Sequence, residues 1–349
     1  MMQEGDDKMY QFTTTERNNE KASEYETKAM LYLFGCRKDS KNMDVFIIDC
    51  FNDVSGANRD VNRLWDVQSK GVKSLNPKKI GEALVTLFQN YCSDIEFEHY
   101  ILFMPKLKEM YLNNEDRTYF QIDNFKLQYI DKIKQGLKSE YERRNSLEPQ
   151  ETDLDNFLQM VEFVIAEEQK QGYIKRITSF RSSLRLEEAF YDALFEDIRN
   201  QQTILKTKNI DGYQIMNAVE VLQYEKLLWK KEIDELVINR ILGMDIFNSR
   251  QVPNSFIDEI ALLDAENRKD VIQECQSDIA RLLFDKNGRH IFWRFFGQLL
   301  SYADDMRVKS PREIEERIRR DKVVIPRILS EISVVYLISA LKEGLNDEN

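Results

Sequence analysis

Four cysteines, at positions 36, 50, 92 and 275, are too few and too scattered for a disulfide framework. None forms a CxxC pair, so a zinc ribbon is excluded. His99 and His290 are the only histidines, which excludes a His-rich metal centre. This cysteine usage fits a reducing cytosol, so a cytoplasmic protein is expected. Six prolines and 12 glycines disfavour a loop-rich all-β sandwich and favour long helices. No run of roughly 18 apolar residues occurs, so no membrane span is expected. The opening MMQEGDDKMYQF has no apolar core that could serve as a signal peptide. Walker A, GxGxxG and GxSxG motifs are all absent, so a nucleotide-hydrolysing engine would have to come from another protein. Fifty Lys+Arg against 61 Asp+Glu leave a net charge of −11, which disfavours nucleic-acid coating by bulk charge and leaves only local basic patches.

The 349 residues divide into two unlike parts. From Ser23 to about Pro105 helix and strand patterns alternate; from about Asp123 to Leu345 the chain reads almost entirely as helix. The boundary falls loosely between 106 and 125, which predicts domains of 1–120 and 121–349. A first helix is expected over Asn19–Phe34, with Ala22, Ala29, Met30 and Leu33 on one face and Glu26 among them. A carboxylate there needs a partner, because unpaired buried charge is expensive. Met43–Phe51 reads as a strand, NDVSGANRD as a polar loop around Gly56, and Arg63–Lys70 as a second strand antiparallel to the first. Asn76 is an expected N-cap and Pro77 a first helical residue of a helix running to about Tyr91. His99–Pro105, apolar on both faces, is expected to be a buried central strand. Beyond it, amphipathic helices are expected over Asp153–Gln171, Leu184–Asn200, Gly212–Leu242, Asp258–Phe284, His290–Met306, Pro311–Asp321 and Ile325–Leu345.

The stretch with chemical content is Asp53 followed fifteen residues later by Gln68-Ser69-Lys70. Strand side chains alternate, so Asp66, Gln68 and Lys70 share one face, and Trp65, Val67 and Ser69 the other. Trp65 and Val67 can pack on a helix, which leaves the polar face to a cleft. A carboxylate opposite a lysine, with an oxygen ligand two residues before it, suits metal-assisted phosphodiester hydrolysis. Mg²⁺ prefers oxygen ligands and retains waters. Asp53 would supply a carboxylate, and Gln68 a side-chain carbonyl. Lys70 would orient the attacking water or meet the developing negative charge. Glu26 could hold a metal water or a second ion, with Glu24 the competing carboxylate.

At these residues the sequence resembles the restriction-endonuclease-like fold, the PD-(D/E)xK superfamily. The match is the order helix-strand-strand-helix-strand with Asp53 and Gln68-Ser69-Lys70 as a D…QxK variant. FIIDCFNDVSG…LWDVQSKG is similar to the nuclease domain of effectors in bacterial anti-phage systems of the CBASS and Lamassu types. The resemblance covers about 80 residues, Ser23 to Pro105. It departs from the family at Asn52, where the name-giving Pro stands, and at Gln68, where the acidic residue is usual; a neutral ligand there lowers the site charge.

The resemblance implies an α/β nuclease domain followed by a mainly helical assembly or partner-binding domain. It implies Mg²⁺ (or Mn²⁺) as cofactor and double-stranded DNA as substrate, and gives catalytic roles to Asp53, Gln68, Lys70 and Glu26. In a Lamassu-type arrangement the implied partners are an SMC-like ATPase and a small accessory subunit, with a homo-oligomer as the active state. Lys73, Lys78 and Lys79 are candidate DNA contacts, because cations in a helix's first turn oppose its dipole unless a phosphate lies there. The competing class is a helical adaptor whose nuclease-like domain has lost activity; an RNA-cutting enzyme on the same scaffold is inseparable by sequence. His99 and His290 read as structural, and Asp49 and Asp66 as structural or as supports behind the site's own ligands. Phe292, Trp293, Phe295 and Phe296 read as core, and Arg312, Arg317, Arg319 and Arg320 as a solvated helix with internal ion pairs.

Overall fold

A computed structural model describes residues 9–12, 20–178 and 188–346. The strands are β1 (Tyr10–Gln11), β2 (Val45–Ile48), β3 (Val54–Ala57), β4 (Leu64–Ser69), β5 (His99–Met104), β6 (Tyr119–Phe120), β7 (Val161–Ile165), β8 (Gln214–Ile215) and β9 (Leu227–Trp229). The helices of the first half are α1 (Glu20–Gly35), α2 (Pro77–Ala83), α3 (Val85–Tyr91), α4 (Leu127–Asn145), α5 (Glu151–Met160), α6 (Lys170–Thr178) and α7 (Glu188–Lys206). Those of the second half are α8 (Lys230–Leu242), α9 (Asn254–Glu259), α10 (Ala265–Leu283), α11 (Arg289–Leu300), α12 (Ala303–Met306), α13 (Pro311–Arg320) and α14 (Glu331–Asn346). The expected helix start at Asn19 and the stretch 184–187 lie outside the described residues.

Two compact units divide the chain: Met1–Tyr173 with Phe195–Lys230, and Ile174–Leu194 with Lys231–Asn349. The first is an α/β unit built on a seven-stranded mixed sheet of order β6-β7-β5-β4-β3-β2-β9. β2, β3 and β4 form an antiparallel meander, whereas β4, β5 and β7 run parallel. β5 is buried between two parallel neighbours, as its two-sided apolar pattern predicts. Its Phe103 meets Tyr25 and Tyr32 of α1. On the other face Tyr100 and Leu102 join a core with Phe88 of α3, Leu137 of α4 and Phe157 of α5.

Three expectations are corrected here. The turn-like NDVSGANRD stretch contains β3, which separates the two strands expected to pair directly. Its small residues are all buried, and small is what the site demands. A Cβ on Gly56 would lie 3.0 Å from Met43 Sδ and 3.3 Å from Leu33 of α1. The sheet also does not stop near residue 120. β6, β7 and β9 belong to it, so the later chain is not uniformly helical. The expected helix over Asp153–Gln171 turns into β7 at Val161, where VEFVI is β-branched and aromatic and buried throughout. The expected Gly212–Leu242 helix begins only at Lys230, after β8, a 3₁₀ stretch and β9. Lastly, the helix from Pro77 breaks at Leu84 into α2 and α3.

Asn76 caps α2 as expected, its side chain accepting the Lys79 N–H at 2.9 Å. α2 crosses α4 backbone to backbone. A Cβ on Gly81 would sit 1.9 Å from the Ile133 carbonyl oxygen, and one on Gly136 2.2 Å from that of Lys78.

The second unit is helical. Phe292, Trp293, Phe295 and Phe296 of α11 are all in its core. Buried Asp234 accepts hydrogen bonds from Arg289 and from the Trp293 indole. Arg312 pairs with Glu259 and Glu331, Arg317 with Asp305, and Arg319 with Glu315. No described helix is long and apolar enough to cross a membrane.

Candidate active site

The short loop between β2 and β3 carries Asp49, Cys50, Phe51, Asn52 and Asp53. Asp49 adopts a left-handed backbone (φ 54°), a conformation that Asp tolerates better than most residues. Its N–H donates to the Asp53 carbonyl at 3.3 Å, closing the loop. Antiparallel pairing of β3 with β4 then places Asp53, one residue before β3, beside the C-terminal end of β4.

A single oxygen, Asp53 Oδ2, accepts three hydrogen bonds there. Gln68 Nε2 donates at 2.7 Å, the Ser69 N–H at 2.7 Å and the Ser69 hydroxyl at 2.9 Å. Asp53 and Gln68 are thus brought together, and Ser69, expected on the opposite face, joins them through both its backbone N–H and its hydroxyl. Lys70 follows directly, half-buried, its N–H bound to the Phe103 carbonyl of β5 at 2.9 Å. Asp49, Asn52, Asp53, Gln68, Gln89 and Asn90 line part of a cavity of about 200 Å³ at this end of the sheet.

Glu26 is 5% exposed on α1, and it does have the partner its apolar face requires. Lys206, at the end of α7, forms a buried ion pair with its Oε2. Burial pushes the Glu26 carboxyl above its ordinary range; Asp53 and Asp49 push the same way, and Lys206 opposes. The three carboxylates therefore share one electrostatic neighbourhood. Glu24, the competing carboxylate, instead pairs with buried Lys28 one turn along α1 and with Lys170 of α6.

Two lysines of this neighbourhood escape sequence reasoning. Beside Lys206 stands Lys226, 2% exposed, with its ammonium 3.7 Å from Asp49 Oδ2 and 3.3 Å from the Lys206 carbonyl. The Lys226 carbonyl accepts the Ile48 N–H at 2.8 Å, which fixes it at the end of β2. Nothing in their local sequence marks them, since both come from a segment more than 150 residues beyond Asp53.

Asp66 is structural, as expected. It is fully buried, accepts from Asn90 at 2.6 Å and Ser55 at 3.4 Å, and burial raises its carboxyl to about 7. The polar face of β4 is thus split: Asp66 is sealed beneath α3, and only the Gln68 end reaches the cavity. His99 lies at the opposite end of β4–β5, stacked on Trp65 and bonded to Glu162 at 2.5 Å. Lys73, Lys78 and Lys79 are exposed, in the loop after β4 and the first turn of α2. Asn76 already takes the Lys79 N–H, so one of the amides expected to face a phosphate is occupied.

Among the described residues no three His, Cys, Asp or Glu side chains are arranged to hold a metal ion. The donor set is still oxygen-based. Asp53 is a carboxylate, and Gln68, which donates through its nitrogen, accepts nothing through its carbonyl oxygen among the described residues. Such a set fits Mg²⁺, which uses one or two protein carboxylates and keeps its waters, better than a metal needing a full protein cage. No protein-family model, no curated protein and no solved structure matches the chain.

Proposed function

We propose that the α/β unit is a metal-dependent DNA endonuclease of the restriction-endonuclease-like type, acting as the effector of a bacterial anti-phage system and restrained by assembly or by a partner complex. The observation that carries this reading is the clamp on Asp53. One carboxylate oxygen takes three donors from Gln68 and Ser69, with Lys70 next in line and Glu26 close enough to feel its charge.

In this reading Asp53 and the Gln68 carbonyl would hold Mg²⁺ or Mn²⁺, which supplies Lewis-acid polarisation of the scissile phosphate and a more acidic water. Ser69 orients the Asp53 carboxylate. Lys70, anchored through its backbone to β5, presents a compact cation to the charge developing on the phosphate. Lys73, Lys78 and Lys79 would meet the DNA backbone. The helical unit would contact the SMC-like ATPase and accessory subunit, or further copies of the chain. Self-association would strengthen weak DNA binding by raising effective concentration.

A second reading has its own support: Glu26 is already neutralised by Lys206, and Gln68 replaces a carboxylate. Those features suit an adaptor with an inert nuclease-like domain. The deciding experiment incubates the purified chain with supercoiled plasmid, linear duplex and RNA, with Mg²⁺, Mn²⁺ or EDTA, beside Asp53→Ala and Lys70→Ala. Metal-dependent DNA cutting lost in both variants is expected. Metal binding absent by calorimetry, together with intact phage protection by both variants, would replace the nuclease with the adaptor.

A further inference from the structure

We propose that Lys206 and Lys226 are built-in counter-cations of the Glu26–Asp49–Asp53 carboxylate group, and that a divalent cation binds at Asp53 by displacing the Lys206 ammonium from Glu26. The inference rests on the metal-dependent reading of the site.

The Glu26 carboxyl feels the charges of Asp53 and Asp49, and Glu26 and Asp49 each face a lysine ammonium. Each lysine is nearly sealed from solvent, with side-chain exposures of 8% for Lys206 and 2% for Lys226. Burying a lysine is costly without compensation, so both are held there by the negative charge they meet. Two ammoniums supply the same charge as one divalent ion. They arrive together from one segment, linked by the bond from Lys226 Nζ to the Lys206 carbonyl.

The placement of Lys206 is also built. One turn earlier on α7, Gln202 accepts a hydrogen bond from Thr27 of α1 at 2.7 Å, and both side chains are buried. Thr27 adjoins Glu26, and Gln202 precedes Lys206 by four residues, so both contacts fall on one face of α7. The pair Thr27–Gln202 sets the register that delivers Lys206 to Glu26. An ammonium held there repels an incoming cation and occupies the oxygen it would use. Displaced, Lys206 has a long flexible stem that can swing its charge to solvent.

The test uses the full chain, with MnCl₂ as probe and binding read by calorimetry. Lys206→Met and Lys206→Gln keep the stem volume and remove the charge; melting curves in EDTA establish that each folds. Both variants are expected to bind Mn²⁺ at least tenfold more tightly than the wild type, and Asp53→Asn to abolish that binding. In the unmodified chain, acylation of Lys206 read by mass spectrometry is expected to rise on adding Mn²⁺, which needs no variant. Equal or weaker Mn²⁺ binding by the charge-free variants, or Lys206 labelling indifferent to Mn²⁺, overturns the proposal. If the wild type nevertheless binds Mn²⁺ through Asp53, the nuclease reading stands without this device. If no variant binds Mn²⁺ at all, both fall.

Discussion

Asp53 and Ser69 are joined twice through one atom. The Ser69 backbone N–H and hydroxyl both donate to Asp53 Oδ2, at 2.7 and 2.9 Å, while the adjacent Gln68 amide supplies the third donor. The carboxylate is thereby held by the end of β4. Its orientation depends on the β3–β4 register, because a slip of one residue would carry Gln68 and Ser69 to the wrong faces.

Ser69→Ala removes the hydroxyl donor and keeps the backbone one. If the site cuts DNA, the variant should lose roughly 10–100-fold in metal affinity or cutting rate, the range typical for residues that orient a ligand. Asp53→Ala should lose far more. Calorimetry and a plasmid-nicking time course measure both; an unchanged Ser69→Ala enzyme would remove the clamp from the mechanism.

Asp66 predicts a pH dependence of stability. Its carboxyl lies near 7 in the folded chain and near the ordinary carboxylate range, about 3.9, when unfolded. Between those values the folded state holds the proton and the unfolded state does not, so stability falls as pH rises through the window and levels off above about 7. The slope is up to about 1.4 kcal/mol per pH unit from this group. Urea melts at pH 5 and pH 7.5 should show the loss, and Asp66→Asn should flatten it. A variant slope equal to that of the wild type would refute the assignment.

Gly81→Ala should destabilise the α/β unit. The new methyl would lie 1.9 Å from the Ile133 carbonyl oxygen of α4, and that neighbour is backbone, which cannot rotate away. Overpacking of this kind costs roughly 1–3 kcal/mol or more. Thermal melting should show a clear drop, and Gly136→Ala should behave likewise, since its methyl meets the Lys78 carbonyl at 2.2 Å.

In the helical unit, Asp234→Ala would leave the Arg289 guanidinium and the Trp293 indole N–H without their shared acceptor. Breaking a buried pair from one side costs roughly 3–5 kcal/mol. Chemical denaturation should reveal it, with a smaller loss for Asp234→Asn, which keeps one acceptor oxygen.

Much of the architecture around the candidate site was legible in residue pattern. Asn76 and Pro77 announce α2 through cap chemistry that acts within four residues. His99–Met104 announces a central strand because a strand buried on both faces must be apolar on both. Helix α4 was harder to single out: only Tyr129, Ile133, Gly136 and Leu137 of its 19 residues are buried, so its apolar stripe is thin. Strand β3 was hidden for the opposite reason. Gly56 is small because Leu33 of α1 and Met43 stand where a side chain would go, and a Ser-Gly-Ala run carries turn propensity when read locally.

The sequence by itself determined that Gln68 and Lys70 fall at the end of a strand, that Asp53 lies in a loop before it and that Glu26 lies on an apolar helix face, because periods of two and 3.6 residues are local properties of the backbone. Only the tertiary structure decided what those groups meet. That Asp53 is clamped through Ser69 follows from a register set by β3. That Asp66 is sealed away follows from α3. That Glu26 and Asp49 face Lys206 and Lys226 follows from chain segments some 180 positions distant in sequence. Charge compensation in a buried site acts through space over a few ångströms, and no local pattern records which distant residue will supply it.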